Sequence, residues 1–313
     1  MNNNISTQFG RLINRAIAAA LILLAAFGGV YSAERIVVTI IKNKDISYYN
    51  ELIDGFKSAL SEYNINPAYS EMTLGDDESV SLVKSKKPHL MFVLGLSTLL
   101  RVSDAVHDVP IVYSAAFAEG DDVVKGPNVT GANFYVSIAE QCRKLRQIVP
   151  KIKRIGVIFN PDSNGKTMLI AQQKLLGLGF TLVSFPARNP TEITKLENMQ
   201  VDALWLFPDP VIAQQSIITQ LIFSEILTRK PIIGMSKSSV KAGAFFALTC
   251  DYKSVGTQAG EMAAKVLQGK DISAIDVSNP REFKLFLNKS IAEKIRIPIS
   301  QQILSEASEV FGE

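Results

Sequence analysis

Short apolar, β-branched runs recur along the chain. Between them lie stretches whose apolar residues return every three or four positions. The runs at 34–41, 90–94, 110–113, 154–159, 181–185, 203–207 and 231–234 are predicted as strands, with 64–72 a weaker one and 241–249 and 282–287 late additions. Residues 49–63 place Leu52, Ile53, Phe56, Leu60 and Tyr63 on one helical stripe, and 137–149 do the same with Ile138, Cys142, Leu145, Ile148 and Val149. Further helices are predicted at 76–86, 98–106, 166–176, 191–198 and 254–267, the last closed by Gly269. The pattern breaks at 129–137 and restarts at Arg154, so the chain reads as two α/β lobes in succession.

The strands lack polar alternation. Strands of that kind, separated by helices, form parallel sheets covered on both faces. Ligands of such sheets sit beyond the carboxyl ends of the strands, beside helix N-termini. That rule selects the loops 44–49, 95–98, 114–117, 160–164, 208–210 and 234–237. Ser97 and Thr98 follow a Gly-ended strand. They suit a bound carboxylate, and Ser97 equally suits a plain helix N-cap. Asp209 lies between two prolines, where it is an N-cap and also an acid suited to a ligand ammonium. Tyr48, Tyr49, Phe117, Phe134 and Tyr135 offer aromatic faces to a ligand or to the core.

Asn160 to Thr167, NPDSNGKT, matches the end of a phosphate-cradling loop at Gly165-Lys166-Thr167. Asn160 stands where the first glycine belongs, and Pro161 removes an amide donor. A nucleotide hydrolase is therefore a remote alternative, and capping by Ser163 or Asn164 is the plainer reading. His89 and His107 have no partner at metal-ligand or triad spacing. No metal, cofactor or catalytic set is expected, and an enzyme is disfavoured.

Composition adds the compartment. Residues 1–15 are polar with Arg11 and Arg15, 16–30 are an apolar run, and Tyr31-Ser32-Ala33 makes a small-residue exit. This has signal-peptide form, with cleavage expected after Ala33 and a periplasmic mature chain. The run is short against the roughly 20 apolar residues of a membrane span, an uncleaved anchor being the alternative. The net charge is +3, and loss of the two leader arginines leaves a mature chain near +1 with scattered basic residues. That excludes a nucleic-acid surface. Two cysteines, Cys142 and Cys250, make no disulfide scaffold. Buried free thiols are expected, with a single bridge as the alternative.

These residues bring a family into view. Residues 129–164, VTGANFYVSIAEQCRKLRQIVPKIKRIGVIFNPDSN, resemble the central region of bacterial ABC-transporter substrate-binding proteins, in the subfamily that includes tryptophan- and other aromatic-amino-acid-binding members. Residues 251–270, DYKSVGTQAGEMAAKVLQGK, resemble a second family stretch, Asp54-Gly55-Phe56-Lys57 fits its first helix, and 291–310 resemble its ending. The resemblance implies a type I periplasmic-binding-protein fold with two Rossmann-like lobes and three hinge crossovers. Lobe one would be 34–131 plus 251–279, and lobe two 132–250 plus 280–313. It implies an extracytoplasmic solute-binding component of an ABC importer that closes on a small polar or zwitterionic ligand, amino-acid type favoured. It would act as a monomer with an ABC permease as partner. A periplasmic sensory protein signalling to a separate receptor is the alternative. The ligand contacts then expected are Ser47, Tyr48, Gly95, Ser97, Thr98, Ala116, Phe117, Asn160, Ser163, Asp209 and Ser236 in the loops, with Asn133 and Asp251 at the crossovers. The family often has an Asp-Pro pair after its fourth strand, where this chain has Ala116-Phe117-Ala118-Glu119.

Overall fold

The computed structural model describes residues 35–75, 81–114, 126–193 and 199–312. The predicted leader, together with Ala116 and Phe117, lies outside them. The unit Val37–Glu313 is compact, and it carries the fold.

The first half runs β1 (Val37–Lys42), α1 (Ser47–Glu62), β2 (Ala68–Thr73), α2 (Ser81–Ser85), β3 (Leu90–Leu94), α3 (Leu96–Ala105), β4 (Ile111–Ser114) and β5 (Val129–Gly131). These strands form a parallel sheet in the order β2-β1-β3-β4-β5. All residues of β3 and β4 are buried, as expected of strands covered on both faces.

The second half begins with α4 (Ile138–Ile148), β6 (Arg154–Phe159), α5 (Pro161–Gly177), β7 (Thr181–Pro186), α6 (Pro190–Ile193) and β8 (Ala203–Trp205). It continues with α7 (Gln215–Leu227), β9 (Ile232–Ile233), α8 (Lys237–Lys241), β10 (Phe246–Cys250) and α9 (Tyr252–Leu267). It ends with β11 (Phe283–Asn288), α10 (Lys289–Lys294), α11 (Gln301–Glu306) and β12 (Glu309–Phe311). The second sheet has the order β12-β11-β10-β9-β8-β6-β7 and is parallel except between β10 and β11. Its core gathers Ile158, Leu204, Leu206, Ile212, Leu221 and Ile232 among others.

Three stretches of chain pass between the sheets. After β5, Ala132 bridges Ser278, and Asn133 N–H donates to the Ser278 carbonyl at 2.8 Å. After β10, Asp251 N–H donates to Glu282 O at 3.0 Å, and the chain enters α9, which packs on α1 of the first half. The stretch returning to β11 is held by Gln258 of α9. Its amide donates to Ser278 Oγ and to Asn279 O, each at 2.9 Å, and accepts from Arg281 N at 3.0 Å. Gln258 is only 1% exposed, so full satisfaction of its amide is what makes its burial tolerable.

Helix starts are where the sequence reading needs correction. α5 begins at Pro161, five residues before its predicted start, because Asn160 caps it, accepting from Asp162 N at 2.9 Å, and Pro161 suits the first helical position. Ser163 and Asn164 are thus inside the first turn and not caps. α3 likewise starts at Leu96 after Gly95, whose φ of 92° needs a glycine, so Ser97 sits exposed in the helix and does not cap it. The helix expected after Asp209 is a 3-10 turn, Pro210–Ile212, before α7.

Candidate ligand cavity

A cavity of about 510 Å³ opens beside the first two passages, the one after β5 and the one after β10. The N-terminal turn of α1 supplies Ser47, Tyr48 and Glu51, and Tyr252 opens α9 beside them. The chain after β5 supplies Phe134, Tyr135 and Val136. The second sheet supplies Trp205, Leu206 and Pro208 after β8, Met235 and Ser236 after β9, and Leu248, Thr249 and Cys250 from β10.

The lining is built on aromatic stacking. Tyr48, Phe134 and Tyr252 come from three separate parts of the chain and pack mutually. Centroid separations are 5.2 Å for Tyr48–Phe134, 5.2 Å for Tyr48–Tyr252 and 5.4 Å for Phe134–Tyr252, with interplanar angles of 26°, 35° and 23°. Offset stacking at such distances adds stability beyond the area buried. Tyr49 meets Tyr48 edge-on at 5.0 Å. Trp205, 1% exposed, meets Phe207 edge-on at 5.0 Å. Burial pushes the phenols of Tyr48 and Tyr252 above their ordinary value and that of Tyr49 up to about 12. At neutral pH these rings are uncharged π surfaces.

The charges around the cavity are unevenly used. Asp251 caps α9, accepting from Ser254 N at 3.2 Å, and pairs with Lys284 at 2.8 Å. Burial presses the Asp251 carboxyl upward, but Lys284 and the cap bond outweigh it and hold it below the ordinary value. Lys237 pairs with Glu309 and lies 5.9 Å from the Phe286 ring centroid. Glu51 is exposed and has no ion-pair partner among the described residues.

Of the residues named from the sequence, Ser47, Tyr48 and Ser236 line this cavity, as do Phe134 and Tyr135, named there as aromatic faces for a ligand or for the core. Asn160 caps α5, and Ser163 is exposed in its first turn. Asp209, 5% exposed, accepts from Asn160 N at 2.8 Å, Asn164 Nδ2 at 2.7 Å and Val211 N at 2.8 Å. Asn133 joins Asn279 at 3.1 Å, bracing two passages. Gly95 and Thr98 belong to a second polar group at the carboxyl edge of the first sheet. There the Tyr49 hydroxyl donates to Asn43 Oδ1 at 3.4 Å, and a Cβ on Gly95 would lie 2.8 Å from that hydroxyl. The Thr98 and Ser114 hydroxyls are buried there without a hydrogen-bond partner among the described residues.

Sequence reasoning did not single out Glu51, Trp205, Cys250 or Tyr252, whereas Met235 falls in the selected loop 234–237. For Glu51 a signal lay in its spacing, four positions after Ser47 and three after Tyr48 on one helix face, and Cys250 and Tyr252 flank Asp251, which the family resemblance placed at a crossover.

Residues 161–167, weighed as part of a phosphate loop, are the first two turns of α5, so no loop of free amides forms there. Among the described residues no group of three or more His, Cys, Asp or Glu is placed to hold a metal ion. No helix among them is long and apolar enough to cross a membrane. Cys142 and Cys250 are both buried and free, and the Cys250 thiol donates to Phe134 O at 2.9 Å. Burial pushes both thiols up to about 12. Both should therefore resist a disulfide-exchange reagent at pH 8 in the native protein and react rapidly after unfolding in urea. Rapid native labelling would show that one of them is not buried.

The chain resembles several known proteins. A tyrosine-binding protein of Clostridioides difficile (strain R20291) is 26% identical over 216 residues, covering 66% of this chain and 62% of that protein. The matched region thus spans less than two thirds of that relative. The ligand-free, open structure of a substrate-binding protein with adhesive properties from Clostridium difficile superposes with a TM-score of 0.75 at 22% identity, covering 89% of this chain and 100% of the other. An ABC domain from Streptococcus pneumonia in complex with L-Trp gives a TM-score of 0.65 at 22% identity, with 89% and 100% covered. At these identities the structural likeness speaks for the fold, which is that of type I periplasmic binding proteins. The sequence profile described as ABC transporter substrate binding protein matches residues 37–311, and the chain belongs to that family.

Proposed function

We propose that this chain is the extracytoplasmic solute-binding component of an ABC importer, and that it closes around a small zwitterion of amino-acid type bearing an aromatic ring. The observation that carries this reading is the cavity beside the first two passages, lined by the stacked rings of Tyr48, Phe134 and Tyr252 together with Trp205 and the serines Ser47 and Ser236. Apolar walls with a few placed polar groups are what a small-ligand site requires. Family membership supports solute binding without catalysis. The names of two similar proteins, one tyrosine-binding and one solved with L-Trp, favour an aromatic amino acid. The moving units are the lobes 34–131 plus 251–279 and 132–250 plus 280–313, hinged at the passages near Asn133, Asp251 and Asn279. Closure excludes water and presents a joint surface to a membrane permease. The monomeric protein acts in the periplasm after removal of residues 1–33.

Trp205 is the only tryptophan of the chain and it lines the cavity, so its emission is a built-in reporter. Titration of the mature protein with L-tyrosine or L-phenylalanine, excited selectively at tryptophan, should give a saturable change in emission. At a hundredfold excess over the dissociation constant the ligand should also stabilise the fold by about 2.7 kcal/mol. A response to sugars or nucleosides alone would overturn the amino-acid reading. No response to any of these would overturn small-solute binding in this cavity.

A further inference from the structure

We propose that Glu51 is the counter-charge for an ammonium group on the ligand, so that the cavity demands an aromatic amine and treats the ligand's carboxylate as dispensable. This rests on the reading of the cavity given above and assigns its polar specificity.

The inference comes from eliminating the other charges. Asp209, the acid that the sequence pointed to, does not line the cavity, and three hydrogen-bond donors already occupy its oxygens. Asp251 is taken by Lys284 and by the N-terminus of α9. Lys237 reaches the cavity wall, but its ammonium is taken by Glu309. Glu51 remains as the one charged group of the lining with no ion-pair partner among the described residues; Lys284, the cation that also feels its charge, is paired with Asp251. Position reinforces this. Glu51 stands one turn into α1, on the face that also presents Ser47 and Tyr48, so its carboxylate borders the three-ring stack. Its field reaches across the passages, where it adds to the upward pressure on the Tyr252 phenol and the Cys250 thiol.

An ammonium placed there meets a carboxylate on one side and ring faces on the other. Both attract it, the rings within about 6 Å of their centroids. A ligand carboxylate has no such reception. The cavity offers it the hydroxyls of Ser47, Ser236 and Thr249, which are neutral donors, and no uncommitted cation. Neutral hydrogen bonds exchange for bonds to water at small net gain, whereas charge-assisted ones keep more of their strength. The asymmetry makes the amine the required group.

The test uses three ring-matched probes: L-tyrosine, tyramine and 3-(4-hydroxyphenyl)propionate. Each is titrated by calorimetry into the mature protein and into its Glu51→Gln variant. Glu51 is exposed, so the variant should melt with the parent, which is checked first. The expected result is that L-tyrosine and tyramine bind the parent within about tenfold of each other, and that the variant weakens both by roughly 10- to 100-fold, the range a hydrogen bond to a charged group carries. The propionate should bind far more weakly to the parent and be unaffected by the variant. Glu51→Asp should restore part of the lost affinity. If L-tyrosine binds parent and variant equally, or if tyramine fails where L-tyrosine binds, the role of Glu51 falls and the amino-acid site stands. If none of the three probes binds the parent, both readings fall together.

Discussion

A Gly256→Ala variant is expected to lose about 3 kcal/mol or more of folding stability and to melt on the order of 10 °C lower. The reason is the crossing of α1 and α9, where the two backbones touch. A Cβ on Gly256 would lie 2.1 Å from the Leu52 carbonyl oxygen and 2.8 Å from Leu52 Cα. From the other side, a Cβ on Gly55 would lie 2.1 Å from Lys253 O. The obstacle is main chain in both cases, so no rotamer change relieves it and the helices must part. Parting them loosens Leu52, Phe56, Ala59, Val255, Ala259 and Ala263, all buried between them. Alanine's better helix propensity returns only about 1 kcal/mol. Gly165→Ala provides the contrast, because a Cβ there meets nothing within 4 Å. It should stabilise α5 by roughly 0.5–1 kcal/mol. Urea denaturation of the two variants beside the parent measures both. If Gly256→Ala melts with the parent, the helices do not cross as closely as described.

The consequence reaches past stability, since α9 also carries the Gln258 clamp on the third passage and Tyr252 of the ring stack. The interhelical glycines therefore help to position the cavity. None of this pairing was legible in the sequence, which showed α1 and α9 as separate amphipathic stretches. What could be read was local. β3 and β6 have the predicted bounds because β3 is an unbroken apolar run buried throughout and β6 is buried from Ile155 to Phe159 behind an exposed Arg154. α5 was misread at its start because NPDSN is polar, although Asn160 followed by Pro161 is itself a helix-start signal. Ser47, Tyr48 and Ser236 were legible because loops at the carboxyl ends of parallel strands are where ligands bind. Trp205, Cys250 and Tyr252 were not. Trp205 reaches the cavity at the end of β8, between β6 and β9, Cys250 at the end of β10, between β9 and β11, and Tyr252 past the bend at Asp251, and nothing local to them states that register.

Asp209 shows the same limit from the other side, and replacing it has the largest expected effect. Asp209→Ala should cost about 3–5 kcal/mol of folding stability. The sequence offered two roles for this acid, a helix cap and a partner for a ligand ammonium. Both roles place it at the end of β8, so position could not separate them. The separation comes from Asn160 and Asn164, far away in sequence. Asn160 N–H and Asn164 Nδ2 converge on one carboxylate oxygen at 2.8 and 2.7 Å, and Val211 N–H takes the other at 2.8 Å. The carboxylate thus ties the start of α5 to the 3-10 turn after β8, at 5% exposure. Removing it strands three donors, each costing about 1–3 kcal/mol if it stays buried, less whatever water entering the gap restores. Asp209→Asn should fall between, because its oxygen can still serve Val211 while its NH2 opposes the other donors. For the folded fraction of either variant, affinity for L-tyrosine should move by less than about threefold, since Asp209 is not part of the cavity wall. Urea midpoints and calorimetric titration on the same samples test both halves. Unchanged stability with a large loss of affinity would make Asp209 the ammonium partner and return Glu51 to the solvent-exposed face of α1.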